Sequence, residues 1–132
     1  MGGTDIRAYP IHLGLGATAL IQPKFTGEMD WYANYAERHS DDGAEGRLVA
    51  MHTFSKPWDM WEMHPRGSEV VLCMSGSIKL HQDMADGKVK TVTLGPGDYA
   101  INEAGTWHTA DVEDEATALF VTAGLDTQHR PR

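Results

Sequence analysis

From Leu48 onward, turn chemistry interrupts the chain every few residues, and that punctuation favours short strands over helices. Pro65-Arg66-Gly67, Ser75-Gly76, Asp86-Gly87, Gly95-Pro96-Gly97-Asp98, Ala104-Gly105 and Glu113-Asp114 stand at intervals along this half. In such sequences glycine supplies positive φ, and proline or aspartate pre-sets the turn. Between them lie candidate strands at 48–54, 61–64, 69–74, 77–82, 88–94, 99–102, 106–112 and 116–122. Many short strands with regular turns build an antiparallel sandwich or barrel, so the expected fold class is all-β. Ahead of them, residues 1–27 carry Pro10, Gly14, Gly16 and Pro23, which suits an edge strand and connecting turns. Met29, Tyr32, Ala33 and Ala36 recur at helical spacing, with Glu28 and Asp30 early and Arg38 and His39 late. That pattern predicts a short helix over 28–39 with its charges set along the helix dipole. Residues 40–46 read as a surface loop, and the tail Gln128–Arg132 as frayed or lying on the surface.

Charge and cysteine usage limit what such a domain can do. The 132 residues suffice for one domain with its own core. A net charge of -8 argues against a nucleic-acid partner, since the densest basic feature is Lys88-Val89-Lys90. Cys73 is the sole cysteine, so no internal disulfide forms, and a reducing cytoplasm is the expected compartment. Its neighbours Leu72 and Met74 mark it as a buried, inert thiol. No apolar run approaches the roughly 18 residues of a membrane span. The first residues show no basic-then-apolar signal, and Ile6 stands where myristoylation takes Ser or Thr.

Two stretches carry chemistry. In the first, Glu62 and His64 are two apart, a spacing that puts both on one face of a strand. Glu69 follows and shares a face with Val71 and Cys73. A carboxylate on an inward face is costly unless paired or coordinated. The second stretch runs through Gly97, Glu103, Gly105 and His108. Imidazole nitrogens and carboxylate oxygens together suit borderline to hard divalent metals. Two alternatives stay open: Glu62 as a solvated strand-end carboxylate, and the two histidines as structural groups without an ion. His52, alternating with Ala50 and Phe54, and His81, alternating with Lys79, read as surface or packing residues. His12, His39 and His129 fall in loops or termini and carry no argument. Trp58, Trp61, Tyr99 and Trp107 cluster around the motifs. Alternation turns Trp61, Met63 and Trp107 away from Glu62, His64 and His108. A bare Trp/Met face is a poor monomer surface. The N-terminal segment or a second copy is expected to cover it, and a homodimer is the expectation.

On these residues the chain resembles a small single-domain cupin over roughly 47–122. His64, Glu69 and Gly76 stand at the spacing of the later part of the family's first motif, and Gly97, Gly105 and His108 match the second. The departures are Lys56 for the opening glycine, Glu62 for the first histidine, Glu103 for a proline and Val112 for the final asparagine. The resemblance implies an antiparallel jelly-roll barrel (47–132) with an N-terminal extension (1–46) that packs on the barrel or on a partner. It implies ligands Glu62, His64, Glu69 and His108, aimed inward at the wider mouth and holding one divalent metal ion. Two carboxylates in place of one lean that site toward iron, manganese or zinc, with nickel also compatible, and away from copper(I). Two functions remain in view. One is a metal-dependent enzyme (dioxygenase, isomerase or lyase type) on a small organic substrate, with Glu62 as fourth ligand or catalytic base. The other is a non-catalytic small-molecule or metal-binding sensor module. Sugar-phosphate recognition would need an inward cation, for which Lys79 is the strand candidate.

Overall fold

The computed structural model describes residues 2–132. The N-terminal segment forms a hairpin, β1 (Ile11–Gly14) and β2 (Thr18–Ile21), followed by helix α1 (Met29–Arg38). A 3-10 turn over Ser40–Glu45, where a plain loop was expected, leads into β3 (Arg47–Phe54). Next come β4 (Met60–Met63), β5 (Glu69–Ser75), β6 (Ile78–Asp83) and β7 (Val89–Leu94). The last elements are β8 (Tyr99–Asn102), β9 (Trp107–Asp111), β10 (Ala116–Thr122) and β11 (Gln128–Pro131). They pair antiparallel into two sheets, ordered β2-β1-β3-β10-β5-β8 and β11-β4-β9-β6-β7. Two antiparallel sheets with these crossovers make an all-β jelly-roll barrel.

Alternation decides which residues fill it. Val71 and Cys73 on β5, Ile78 and Leu80 on β6, and Ala116, Ala118 and Phe120 on β10 point into one apolar core. Alanines on β10 leave room for the larger Leu80 and Leu94, each 1% exposed, at roughly 1.5–3 kcal/mol per buried leucine. A smaller cluster of Trp31, Leu48 and Ala50, with Phe25 and Tyr35 packed on it, fastens α1 to β3. His12 completes that attachment. It is 1% exposed, its Nδ1 lies 2.6 Å from the Tyr35 hydroxyl, and its Nε2 lies 2.5 Å from Asp42 Oδ2. His39 stacks on its ring at 3.7 Å. The sequence reading gave His12 no role, because nothing local marks Ile11–Gly14 as a strand buried under a helix.

The tail is the larger surprise. Gln128–Pro131 is not frayed: it pairs residue by residue with β4, His129 opposite Glu62 and Arg130 opposite Trp61. Arg130 then lies on the outer face, its guanidinium 5.2 Å from the Trp61 ring and 4.5 Å from the Trp107 ring. It also donates to Asp83 at 2.6 Å. The tryptophan face expected to need a partner is therefore covered by this chain's own terminal strand.

One turn tests the whole closure. Gly76 has φ +77, and a Cβ there would sit 2.2 Å from the Glu115 carbonyl oxygen and 2.8 Å from Ala116 Cα. Gly87 has φ +80 but open space around it. Urea denaturation should show Gly87→Ala losing about 1–2 kcal/mol, from backbone strain alone. Gly76→Ala should lose roughly 3–4 kcal/mol, because overpacking adds to the strain. Equal losses in the two variants would contradict this account.

Candidate metal centre

Each inward file of residues is apolar through the core and turns polar at the same end of the barrel. On β5 the file runs Cys73, Val71, Glu69; on β6 it runs Ile78, Leu80, Gln82; on β9 it runs Ala110, His108. Register makes these ends neighbours. In one sheet Thr122 faces Glu69 and Glu69 faces Asn102. In the other, His129 faces Glu62, Glu62 faces His108 and His108 faces Gln82. Directly opposed residues on one face of a sheet lie within side-chain contact, so two polar rows form and meet across the barrel. His64, one residue beyond β4, joins them, and Gly105 N–H donates to its carbonyl at 3.0 Å, tying the second motif to the first.

The structure brings all four candidate residues together. Ligand atoms of Glu62, His64, Glu69 and His108 lie within 4.8 Å of one another. His64 Nε2 is 2.9 Å from Glu62 Oε1 and 3.2 Å from Glu69 Oε2. His108 Nε2 is 3.2 Å from Glu69 Oε1 and 4.0 Å from Glu62 Oε1. His64, Glu69 and His108 are buried, at 4%, 2% and 0% exposure, whereas Glu62 is half-buried.

Hydrogen bonds on the far side of each ring settle which nitrogens face the cluster. Thr127 donates to the Gly124 carbonyl, so its oxygen accepts from His64 Nδ1–H at 2.8 Å. His108 Nδ1–H donates to the Thr106 carbonyl at 3.1 Å. Both neutral rings thus turn an Nε2 lone pair inward. Neither buried Nε2 has a hydrogen-bond partner, for the nearby carboxylate oxygens lie off the hydrogen-bonding direction. Glu69 is fixed by Asn102 Nδ2 at 3.0 Å and by the Thr122 hydroxyl at 2.6 Å. Gln82 in turn holds Asn102 Oδ1 at 2.8 Å. Two lone pairs and two carboxylates converging in a buried space repel one another unless a cation lies among them. A divalent ion satisfies all four groups, so the donor set fits one.

Without an ion, protons take the cation's place. Burial lowers the affinity of His64 for a proton, but the Glu62 and Glu69 carboxylates beside its Nε2 outweigh it and raise its pKa to about 9. Burial disfavours the Glu69 anion, yet His108 and His64 overcome that and hold its carboxyl well below the usual range. Burial lowers the pKa of His52, against the pull of Glu62, and lifts that of the Tyr32 hydroxyl to about 12.

The cluster opens on a cavity of about 1290 Å³ between the barrel mouth and α1. Its wall includes Tyr32 and Tyr35 from the helix, His52, Phe54 and Phe120 from the sheet, and Trp58 from the 55–59 loop. His52 thus lines the cavity, its ring tilted against Phe25 with centroids 4.9 Å apart. His81 instead faces out, bonded to Asp111 and Thr91. Lys79, the inward candidate for a phosphate, is exposed and points away. The sequence reading missed Asn102, Gln82, Thr122 and Thr127, whose roles depend on register, and His129, whose Nε2 reaches Glu62 Oε2 at 3.2 Å.

The family model for the cupin domain matches residues 52–124. No curated protein matches the chain. Among solved structures, one of oxalate oxidase superposes with a TM-score of 0.54 at 16% identity, over 61% of this chain and 44% of that one. Hydroquinone 1,2-dioxygenase from Sphingomonas sp. TTNP3, with 4-hydroxybenzoate bound, gives 0.51 at 18%, over 56% and 57%. Hydroquinone 1,2-dioxygenase PnpCD, in complex with Cd2+ and 4-hydroxybenzonitrile, gives 0.51 at 15%, over 58% and 56%. The chain spans about half the length of these structures, and the likeness is one of fold.

The protons at this centre make stability depend on pH in a definite sense. The raised pKa of His64 contributes stability that is complete below the unfolded value of 6.5 and is lost as pH climbs through about 9. The depressed carboxyl of Glu69 contributes stability that is complete above 4.5 and fades as pH falls below it. Chelator-treated protein should therefore melt highest between roughly pH 4.5 and 6.5 and lose melting temperature toward pH 9, with a shallower loss in Glu62→Gln. A wild-type melting temperature that stays level from pH 6 to 9 would count against the arrangement.

Proposed function

Because the chain belongs to the cupin family, we propose that Glu62, His64, Glu69 and His108 bind one divalent metal ion. On this reading the protein is a metal-dependent enzyme of dioxygenase, isomerase or lyase type, acting on a small organic substrate. The observation that carries it is the pair of buried Nε2 atoms without hydrogen-bond partners, aimed between two carboxylates. Two nitrogens and two carboxylates suit iron(II), manganese or zinc, with nickel compatible. The fold likeness to an oxalate oxidase and to hydroquinone dioxygenases favours a redox or oxygen-dependent reaction among these classes.

When bound, the ion would hold substrate oxygens and stabilise negative charge that develops on them. His64 and His108 keep their lone pairs aimed because Thr127 and the Thr106 carbonyl pin the opposite nitrogens. Glu69, held by two donors, stays in place as an anion. Two carboxylates leave the centre near neutral, which moderates its Lewis acidity relative to a three-histidine site. Glu62 is the fourth donor or, swung toward the cavity, a base within reach of substrate. The tyrosines and aromatic rings of the wall exclude water and receive the apolar part of the substrate.

We also propose that the protein is a homodimer, now on a different face. Strand β2 is a free sheet edge with Leu20 and Ile21 exposed at 47% and 68%, the kind of edge that pairs with another copy. Light scattering at micromolar concentration should give twice the chain mass. A strict monomer removes this part of the proposal.

Elemental analysis of purified, tag-free protein tests the centre itself. Near-stoichiometric iron, manganese, zinc or nickel is expected, and His64→Ala should lose it while keeping the wild-type circular dichroism spectrum. Loss in Glu62→Gln marks Glu62 as a ligand, and retention marks it as a base. Protein that takes up none of these ions after reconstitution refutes the metal reading, leaving a metal-free binding module.

A further inference from the structure

We infer that His129, from the terminal strand, is a positioning residue of the metal centre: it holds Glu62 as a one-oxygen ligand. The inference rests on the proposed metal site. The register places His129 opposite Glu62 on the same face of β4 and β11, so it extends the polar row by one strand. Its Nε2 donates to Glu62 Oε2 at 3.2 Å, while Glu62 Oε1 is the oxygen 2.9 Å from His64 Nε2. The two oxygens of one carboxylate are thereby divided, one turned to the cluster and one to β11. A carboxylate held this way is biased toward ligation through one oxygen, which leaves coordination room on the cavity side. Nor does it swing freely into the cavity as a base.

The imidazole can act as a fixed donor because its strand is pinned on both sides. Arg130 lies against Trp61 and Trp107 and binds Asp83. Arg132 donates to Asp111 at 2.7 Å and to the Trp58 carbonyl at 2.8 Å. The donors that orient a ligating side chain commonly set metal affinity by 10- to 100-fold. Glu62 accepts no other hydrogen bond among the described residues, so His129 carries that function for this ligand.

The experiment is Mn2+ binding, read as Kd by chelator competition, in the full chain and in His129→Ala, His129→Gln, Glu62→Gln and the His129→Ala/Glu62→Gln double variant. A glutamine amide can reach the position of Nε2 and donate the same hydrogen bond. His129→Ala should weaken Mn2+ about 10-fold, and His129→Gln should stay within about threefold of wild type. In the Glu62→Gln background, His129→Ala should add nothing, since the group it positions is gone. An unchanged Kd in His129→Ala overturns the inference, as does an equal loss in both backgrounds. Equal weakening in the alanine and glutamine variants also overturns it, by making the imidazole itself a ligand. Wild-type protein that takes up no Mn2+ or other divalent ion defeats the parent reading first, so the two failures are told apart.

Discussion

The structure depends on a register constraint: polar side chains on seven strands arrive at one level of the barrel. Thr122, Glu69 and Asn102 face one another across β10, β5 and β8, and His129, Glu62, His108 and Gln82 across β11, β4, β9 and β6. A slip of one residue in any pair would turn a charged side chain outward and an apolar one into the cluster. The apolar core below resists that slip, because Val71, Leu80 and Ala118 would leave it at the same time. Core and site therefore hold each other in place.

Such a row is expensive in isolation. Glu69 is nearly inaccessible to water, and an unpaired buried carboxylate would be among the most destabilising groups a small domain could carry. The structure meets this with a hydrogen-bond partner at each of these positions: Asn102 and Thr122 donate to Glu69, and the Thr127 hydroxyl oxygen and the Thr106 carbonyl accept from the two histidines. What those bonds leave over is a pair of inward lone pairs and the negative charge of two carboxylates. The residue of satisfaction is cation-shaped, and protons or a metal ion compete for it. The same groups that stabilise the metal-free protein as proton donors would therefore oppose metal uptake in acid.

The barrel was legible in the sequence because turn glycines and alternation are local. Strands β3 to β10 fall within a residue or two of their expected bounds, and Glu62, His64, Glu69 and His108 converge as the motif spacing implied. What was not legible depends on pairing between distant segments. Gln128–Pro131 has no apolar alternation of its own; it is a strand because Arg130 finds two tryptophans and Asp83, and Arg132 finds Asp111. Asn102 ends a short strand of otherwise ordinary character, and only its place opposite Glu69 gives it work. Lys79 failed in the opposite way. Alternation gave it a face but not which of the two looked inward, and the buried neighbours Ile78 and Leu80 took that one.

Both ends of the chain reach the cavity, and they do so by different physics. The N-terminal side supplies its wall: α1 is fastened by Trp31 over Leu48 and by the Asp42–His12–Tyr35 hydrogen-bond chain, which puts Tyr35 and Tyr32 over the mouth. The C-terminal side supplies its electrostatics, through a histidine on a strand clamped by two arginines. A barrel trimmed to its two motifs would keep His64, Glu69 and His108 but lose the helix that encloses the space and the donor on Glu62. Three fixed donors and an untethered carboxylate would then remain, a looser site with weaker hold on an ion and no wall to define a substrate. The wall of the cavity and the donor on Glu62 accordingly lie outside the motifs that reveal the family, in segments whose sequence alone gives little sign of it.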